Sequence, residues 1–268
     1  MNYPFQSYLI LEIYALINFV IMFFVFFFLK KKELTMVQKG IIYTIFSVLT
    51  TIIHYIPVFI ELFKGTPIPF NELSDIYYLP VWPCNMMMWA YMLFIPFVFK
   101  KNKVSDLLAP FLFVFGSICG FFGLVLNFNF LDNPVWENIV GIKSIVSHVT
   151  LIYSAISLMV FGYVDFRTIR SLLSSLIGLE FFLICHLLCI GVLTLQGKDL
   201  SNFDPLFFHG FSENARWLNI FLLVPLGFFA LMIATTIYES KRLPLEERWY
   251  YKFKKLFSKK EKIDDRNS

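Results

Sequence analysis

Apolar residues in this chain fall in long unbroken runs, and polar or charged residues collect between them. Seven runs stand out: Tyr8–Leu29, Ile41–Ile60, Leu79–Phe99, Leu107–Leu126, Ser144–Val164, Leu172–Leu195 and Trp217–Tyr238. A helix crosses a ~30 Å hydrocarbon core in about 20 residues, so each run predicts one transmembrane helix. No segment alternates at the two-residue period of a barrel strand. The expected fold is all-α: a polytopic bundle of seven transmembrane helices over residues 1–240, then a separate tail over 241–268. The first run is expected to remain as a helix. No basic stretch precedes it, it is too long for the apolar part of a signal peptide, and Lys30, Lys31 and Lys32 follow it.

Composition agrees with a lipid solvent. The 268 residues are 58% hydrophobic and 16% charged, whereas a soluble domain is about one-quarter charged. The placement of charge adds an orientation. Lys30, Lys31, Lys32 and Lys39 follow run one, Lys100, Lys101 and Lys103 follow run three, and Arg167 and Arg170 follow run five. Ten more basic residues lie from Lys241 onward; the opposite side has Lys64, Lys143, Lys198 and Arg216. The positive-inside rule puts the N-terminus out and the C-terminus in. The basic residues form no nucleic-acid-reading motif, and no nucleic-acid partner is expected. In the tail, Trp249, Tyr250, Phe253, Leu256 and Phe257 recur at helical spacing among lysines, from Arg248 to Arg266. That pattern predicts a basic amphipathic helix on an anionic inner leaflet; the plainer alternative is a solvated basic tail.

Ionisable groups inside a span are costly, so each marks a candidate site. They are Glu12, His54, Cys84, His148, Glu180 and His186. All but Glu180 fall ~6–13 Å below the outer span ends at 1.5 Å per residue. A polar cavity open toward the outside is therefore expected. Its lining would be Glu12, His54, Trp82, Asn85, Ser147, His186 and Arg216, with Cys84 and His148 as the reactive pair. Leu79-Pro80-Val81-Trp82-Pro83-Cys84-Asn85 opens the third span with two prolines, which remove donors and unwind a first turn. Such backbone is tolerated at membrane depth where it is buried or lines a cavity. Plainer readings stand beside these: Cys84 as a small core residue, the histidines in interhelical hydrogen bonds, Glu12 reaching the surface, and Gly116-x-x-x-Gly120 as a close-packing face. The four cysteines lie in apolar runs, which argues against disulfides. Cys185 and Cys189 share a helix face that excludes His186, short of a four-ligand zinc site, so no metal or cofactor is expected. His209, in an outer loop, reads as solvated.

These residues resemble the YwaF-like bacterial integral membrane proteins over most of the chain. The likeness lies in Leu79-Pro80-Val81-Trp82-Pro83-Cys84 opening the third span and the Gly-rich fourth span Gly116-Ser117-Ile118-Cys119-Gly120. It continues in the loop Leu131-Asp132-Asn133-Pro134, the pair Ser147-His148, and Arg216-Trp217 before the last span. The group is similar, more remotely, to an animal seven-span family of ether-phospholipid acyltransferases, in which a cysteine after proline carries the acyl chain and a histidine assists. The resemblance implies a bacterial plasma-membrane protein that works on membrane lipids, with Cys84 as nucleophile. Asn85 and Trp82 stand where the two patterns place a histidine, so His148 would be the base.

Two functions follow from these residues. One is a lipid acyltransferase or lipid-modifying enzyme using Cys84 and His148 near the outer leaflet. The alternative is a transporter or ligand-binding subunit, since a broken helix beside intramembrane polar groups also suits substrate binding. A non-catalytic scaffold is a third.

Overall fold

The computed structural model describes residues 5–64, 79–125, 127, 131, 139–197, 216–217 and 219–255. Seven helices account for most of them: α1 (Phe5–Lys31), α2 (Met36–Lys64), α3 (Pro83–Val98), α4 (Lys103–Val125), α5 (Ile139–Val160), α6 (Thr168–Leu195) and α7 (Ile220–Arg242). A 3₁₀ turn, Leu245–Glu247, leads into a tail helix over 249–255. No strand occurs among the described residues. All of the helices but α3 are long and apolar enough to cross a membrane, which makes six; α3 is shorter. The chain is thus an apolar, multi-pass helical bundle.

Several helix ends follow from local chemistry. Before α2, Thr35 N–H donates to Gln38 Oε1 (2.9 Å) and Gln38 N–H to Thr35 Oγ1 (3.3 Å), a reciprocal cap over the first turn. Before α4, Asn102 Oδ1 accepts from the amides of Val104 and Ser105, both at 2.9 Å. The fifth run was expected to continue to Val164, but α5 stops at Val160. Gly162 adopts φ +79°. Its amide donates to Met159 O (3.1 Å) while Tyr163 N–H donates to Leu158 O (2.9 Å). This left-handed glycine closure satisfies the last carbonyls and turns the chain away.

The third run also differs in form. Helix begins only at Pro83, and the residues before it make a turn in which Val81 N–H donates to Leu79 O (2.8 Å). The sixteen residues of α3 span about 24 Å. This short helix is the most enclosed: Met86, Met87 and Met88 are all buried, with Asn85, Ala90, Tyr91, Phe94 and Val98. Successive residues point about 100° apart on a helix, so three buried neighbours mean protein on most sides. That protein is α2, α4, α5 and α6.

The other helices close around this centre. α5 packs on α2 and α4, α6 on α4 and α7, and α1 lies along α4 and α5. Glycine permits the closest approaches. A Cβ on Gly116 would lie 1.6 Å from Tyr91 Oη, and one on Gly178 1.9 Å from the Phe111 ring. Both positions admit a bulky side chain against the backbone, as small residues do between membrane helices. The outward faces are apolar instead: Leu16, Phe23 and Phe28 on α1, and Phe221, Leu226 and Phe229 on α7, are exposed. In water, apolar faces of this extent would be an aggregation hazard; in lipid they are the normal outer surface.

Candidate functional site

Polar side chains gather at the two ends of the bundle, and the group around the mouth of α3 holds the candidate chemistry. At the mouth of α3, Trp82 is the N-cap and its carbonyl accepts the Met86 amide (2.9 Å). Pro83 occupies a first-turn position, where its missing N–H costs no helical bond. The Asn85 amide, on a buried side chain, donates to Leu79 O (3.4 Å), tying the helix to the turn before it. Cys84 is half-buried; its thiol donates to Asn85 Oδ1 (3.5 Å).

On α5, His148 is buried and its Nδ1 lies 2.7 Å from Ser144 O. A carbonyl can only accept, so Nδ1 carries the proton and Nε2 is the basic nitrogen. The ring fits over Gly123, where a Cβ would stand 2.1 Å from Nε2. Ser147 Oγ donates to the same Ser144 carbonyl (3.0 Å). Lys143, one turn before Ser147, lies within Coulombic reach of both Cys84 and His148. Cys119 of α4 interacts electrostatically with Cys84 in the same way. The Cys84 thiol of α3 and the His148 imidazole of α5 each have the Lys143 ammonium as an electrostatic neighbour.

The remaining candidates have the following surroundings. Trp82 packs with Val81 against Cys189 and Leu193 of α6. His54 is buried on α2, edge-on to Tyr55 at 5.0 Å, and the Tyr55 hydroxyl accepts from Trp89 Nε1 (3.1 Å). His186 is buried on α6. Glu12 and Glu180 are exposed on their helices, and Arg216 is exposed in the turn before α7. His209, most of the loop after Leu131, and the tail beyond residue 255 lie outside the described residues. An apolar crevice between α1, α4 and α5, lined by Asn18, Phe19, Leu124, Val149 and Tyr153, is too narrow for a water molecule. Among the described residues no three His, Cys, Asp or Glu side chains converge as metal ligands.

The opposite end, where α6 starts and α7 finishes, holds a denser network, which the hydropathy pattern did not indicate. Glu239 is buried near the end of α7. Its Oε1 accepts from Thr168 N–H (2.6 Å) at the start of α6, and its Oε2 from Trp249 N–H (2.8 Å) at the start of the tail helix. One carboxylate thus caps two helices, and negative charge suits both N-termini. Trp249 Nε1 also donates to Thr236 Oγ1 (2.8 Å). The α5–α6 connection is held by the Lys39 ammonium on Phe161 O (3.4 Å), Lys101 on Gly162 O (3.1 Å) and the Tyr163 hydroxyl on Val98 O. Burial pushes the Tyr163 phenol up to about 12. Asp165 pairs with Arg170 (2.7 Å) and Arg167 (3.3 Å). The one sequence clue was a carboxylate, Glu239, placed just before the strongly basic Lys241-Arg242.

Against known proteins, no family model, no curated protein and no solved structure matches this chain. Function is therefore read from the chain's own chemistry.

Proposed function

We propose that this chain is a seven-span protein of the bacterial plasma membrane, N-terminus out and C-terminus in, that transfers or hydrolyses the acyl chain of a membrane lipid at Cys84. α3 serves as the seventh span in this reading: it is enclosed by other helices, and the turn at 79–82 extends its reach. The orientation rests on the positive-inside rule, with Lys39, Lys101, Arg167 and Arg170 gathered at one end of the bundle. The lipid chemistry, and membership of the YwaF-like group, rest on the motif around Pro83-Cys84 and on Ser147-His148.

The chemistry balances with the residues present. The Cys84 thiol passes its proton to His148 Nε2, and the sulfur adds to the carbonyl carbon of a lipid ester. The developing oxyanion lies near the Lys143 ammonium, which opposes its charge. The C–O bond then breaks, and the leaving alkoxide takes the proton from His148 as a lysolipid alcohol. A second lysolipid hydroxyl, or water, attacks the thioester and gives its proton to His148; the C–S bond breaks, and His148 returns that proton to the leaving Cys84 thiolate. The single observation that carries this reading is that Lys143 sits within electrostatic reach of both the thiol and the imidazole.

The test is membrane lipid mass spectrometry on cells expressing wild type, Cys84→Ala or His148→Ala. Acyl composition is expected to change with wild type and to stay at the empty-vector pattern with each variant. Identical lipids in all strains would end the acyl-transfer reading. A solute-uptake activity that survives Cys84→Ala would favour transport instead.

A further inference from the structure

Basic tails after a last span are commonly solvated tethers, yet here the tail starts from a fixed point. After α7 ends at Arg242, Leu243 and Pro244 break the helix, and the 3₁₀ turn Leu245–Glu247 redirects the chain. The next residue with a bulky ring is locked from two sides. Trp249 donates its amide to Glu239 and its indole N–H to Thr236, both at 2.8 Å. Arg248 Nε donates back to Leu243 O (2.9 Å), and Arg167 at the foot of α6 meets Glu247 at 3.5 Å. The same Glu239 caps α6 through Thr168. The tail helix therefore leaves the bundle in an orientation shared with α6 and α7.

What this helix then presents is basic and aromatic. Lys252, Lys254 and Lys255 are exposed, as are the rings of Tyr250 and Phe253. Lys241 and Arg242 lie beside them at the end of α7 and are exposed as well. Rings that enter the headgroup layer, flanked by lysines that reach phosphate, match an anionic bilayer surface. A soluble acidic partner would supply the charge but no layer for the rings.

We infer that the Glu239–Trp249 latch makes residues 249–255 a fixed docking platform for anionic lipid headgroups at the inner leaflet. The inference rests on the inward orientation of the C-terminus proposed above and is independent of any chemistry at Cys84. A platform held to α6 and α7 differs from a tether in a measurable way. Its helix is protected before it meets anionic lipid, and its lipid affinity depends on a buried carboxylate that touches no lipid.

The experiment is amide hydrogen exchange on the full-length protein in nanodiscs of phosphatidylcholine alone or with phosphatidylglycerol. In wild type, exchange over 249–255 is expected to be slow without anionic lipid and at least roughly fivefold slower with it, given the contribution of each lysine near an anionic surface. K252A/K254A/K255A should keep the slow baseline and lose the lipid response. Glu239→Gln cannot accept both amides as a carboxylate does; it should speed exchange over 249–255 by about tenfold in neutral lipid. Trp249→Phe, which keeps the ring and loses only the indole donor, is the milder variant if Glu239→Gln fails to fold, and should speed exchange in the same direction. Three results would each overturn the inference: no response of wild type to anionic lipid, a response that survives the triple lysine variant, or fast wild-type exchange in neutral lipid. None of them bears on Cys84, and sidedness is read separately by labelling the tail in intact cells against opened ones.

Discussion

The two ends of this bundle, inner and outer in the orientation proposed above, satisfy their polar groups in different ways. At the inner end, hydrogen bonds join distant parts of the chain: Glu239 to Thr168, Tyr163 to Val98, Lys101 to Gly162 and Lys39 to Phe161. At the outer end, the bonds of Ser147 and His148 return to Ser144 on their own helix, and the Cys84 thiol turns to its neighbour Asn85. Cross-chain bonds fix how helices sit, because each loss leaves a buried group on another element unpaired. Bonds within one helix set the pose of a side chain and leave the space between helices uncommitted. The inner end is thus built as a frame, whereas Ser147, His148 and Cys84 at the outer end are posed by bonds local to their own helices.

Substitutions that break this contrast should hurt most at the frame. Glu239→Ala removes the acceptor of two buried or half-buried amides at once. Hydrogen bonds to a charged group contribute about 1.5–3 kcal/mol each, so a loss of about 3–5 kcal/mol is expected in detergent unfolding. A loss under about 1 kcal/mol would mean that α6 and the tail are held by other means. Ser174→Ala comes next. Pro110 interrupts the α4 ladder, and the following amide, Phe111 N–H, donates to Ser174 Oγ on α6 at 2.9 Å. Both residues are buried. Removing the hydroxyl strands that amide, and about 1–3 kcal/mol should be lost.

These inner-end residues also mark the limit of what the sequence disclosed. The apolar runs located α1 to α7, because twenty apolar residues have one simple solution in lipid. Pro80 and Pro83 announced the irregular mouth of α3. The partner of each group stayed hidden. Nothing local to Glu239 points to Thr168, 71 residues away, and Ser174 resembles its neighbours Ser171 and Ser175 until Phe111 is placed against it. Gly123 lies three residues past the Gly116-x-x-x-Gly120 face, and its use as the seat of the His148 ring needs the α4–α5 packing. Hydropathy reports which solvent a residue prefers. It is silent on which polar group across the fold completes it.

Alkaline pH probes the frame more gently. The Tyr163 phenol is raised by burial to about 12, against an ordinary value near 10. A raised phenol means that the fold favours the neutral, donating form. Its contribution is complete below pH 10 and is lost as pH rises through about 12. Thermal unfolding in detergent should therefore drop between pH 10 and 12. Tyr163→Phe, which has no proton to lose, should make that drop shallower while costing about 1 kcal/mol at pH 7 through the missing bond to Val98 O. An unchanged slope in the variant would remove Tyr163 from the alkaline transition.

The smallest effect is expected from the same serine-to-alanine change made at the outer end. Ser147 is as buried as Ser174, so burial alone predicts equal costs. Their bonds differ in what removal leaves behind. The Ser147 hydroxyl donates to Ser144 O, a carbonyl of its own helix that His148 Nδ1 also engages. Deleting it strands no other group, and serine bonding back to its own helix is slightly destabilising to begin with. Ser147→Ala should therefore change stability by less than about 0.5 kcal/mol, in either direction. A cost equal to that of Ser174→Ala would mean that the Ser147 hydroxyl is tied across the bundle, and the distinction between a cross-linked inner end and a locally posed outer end would fail at that residue.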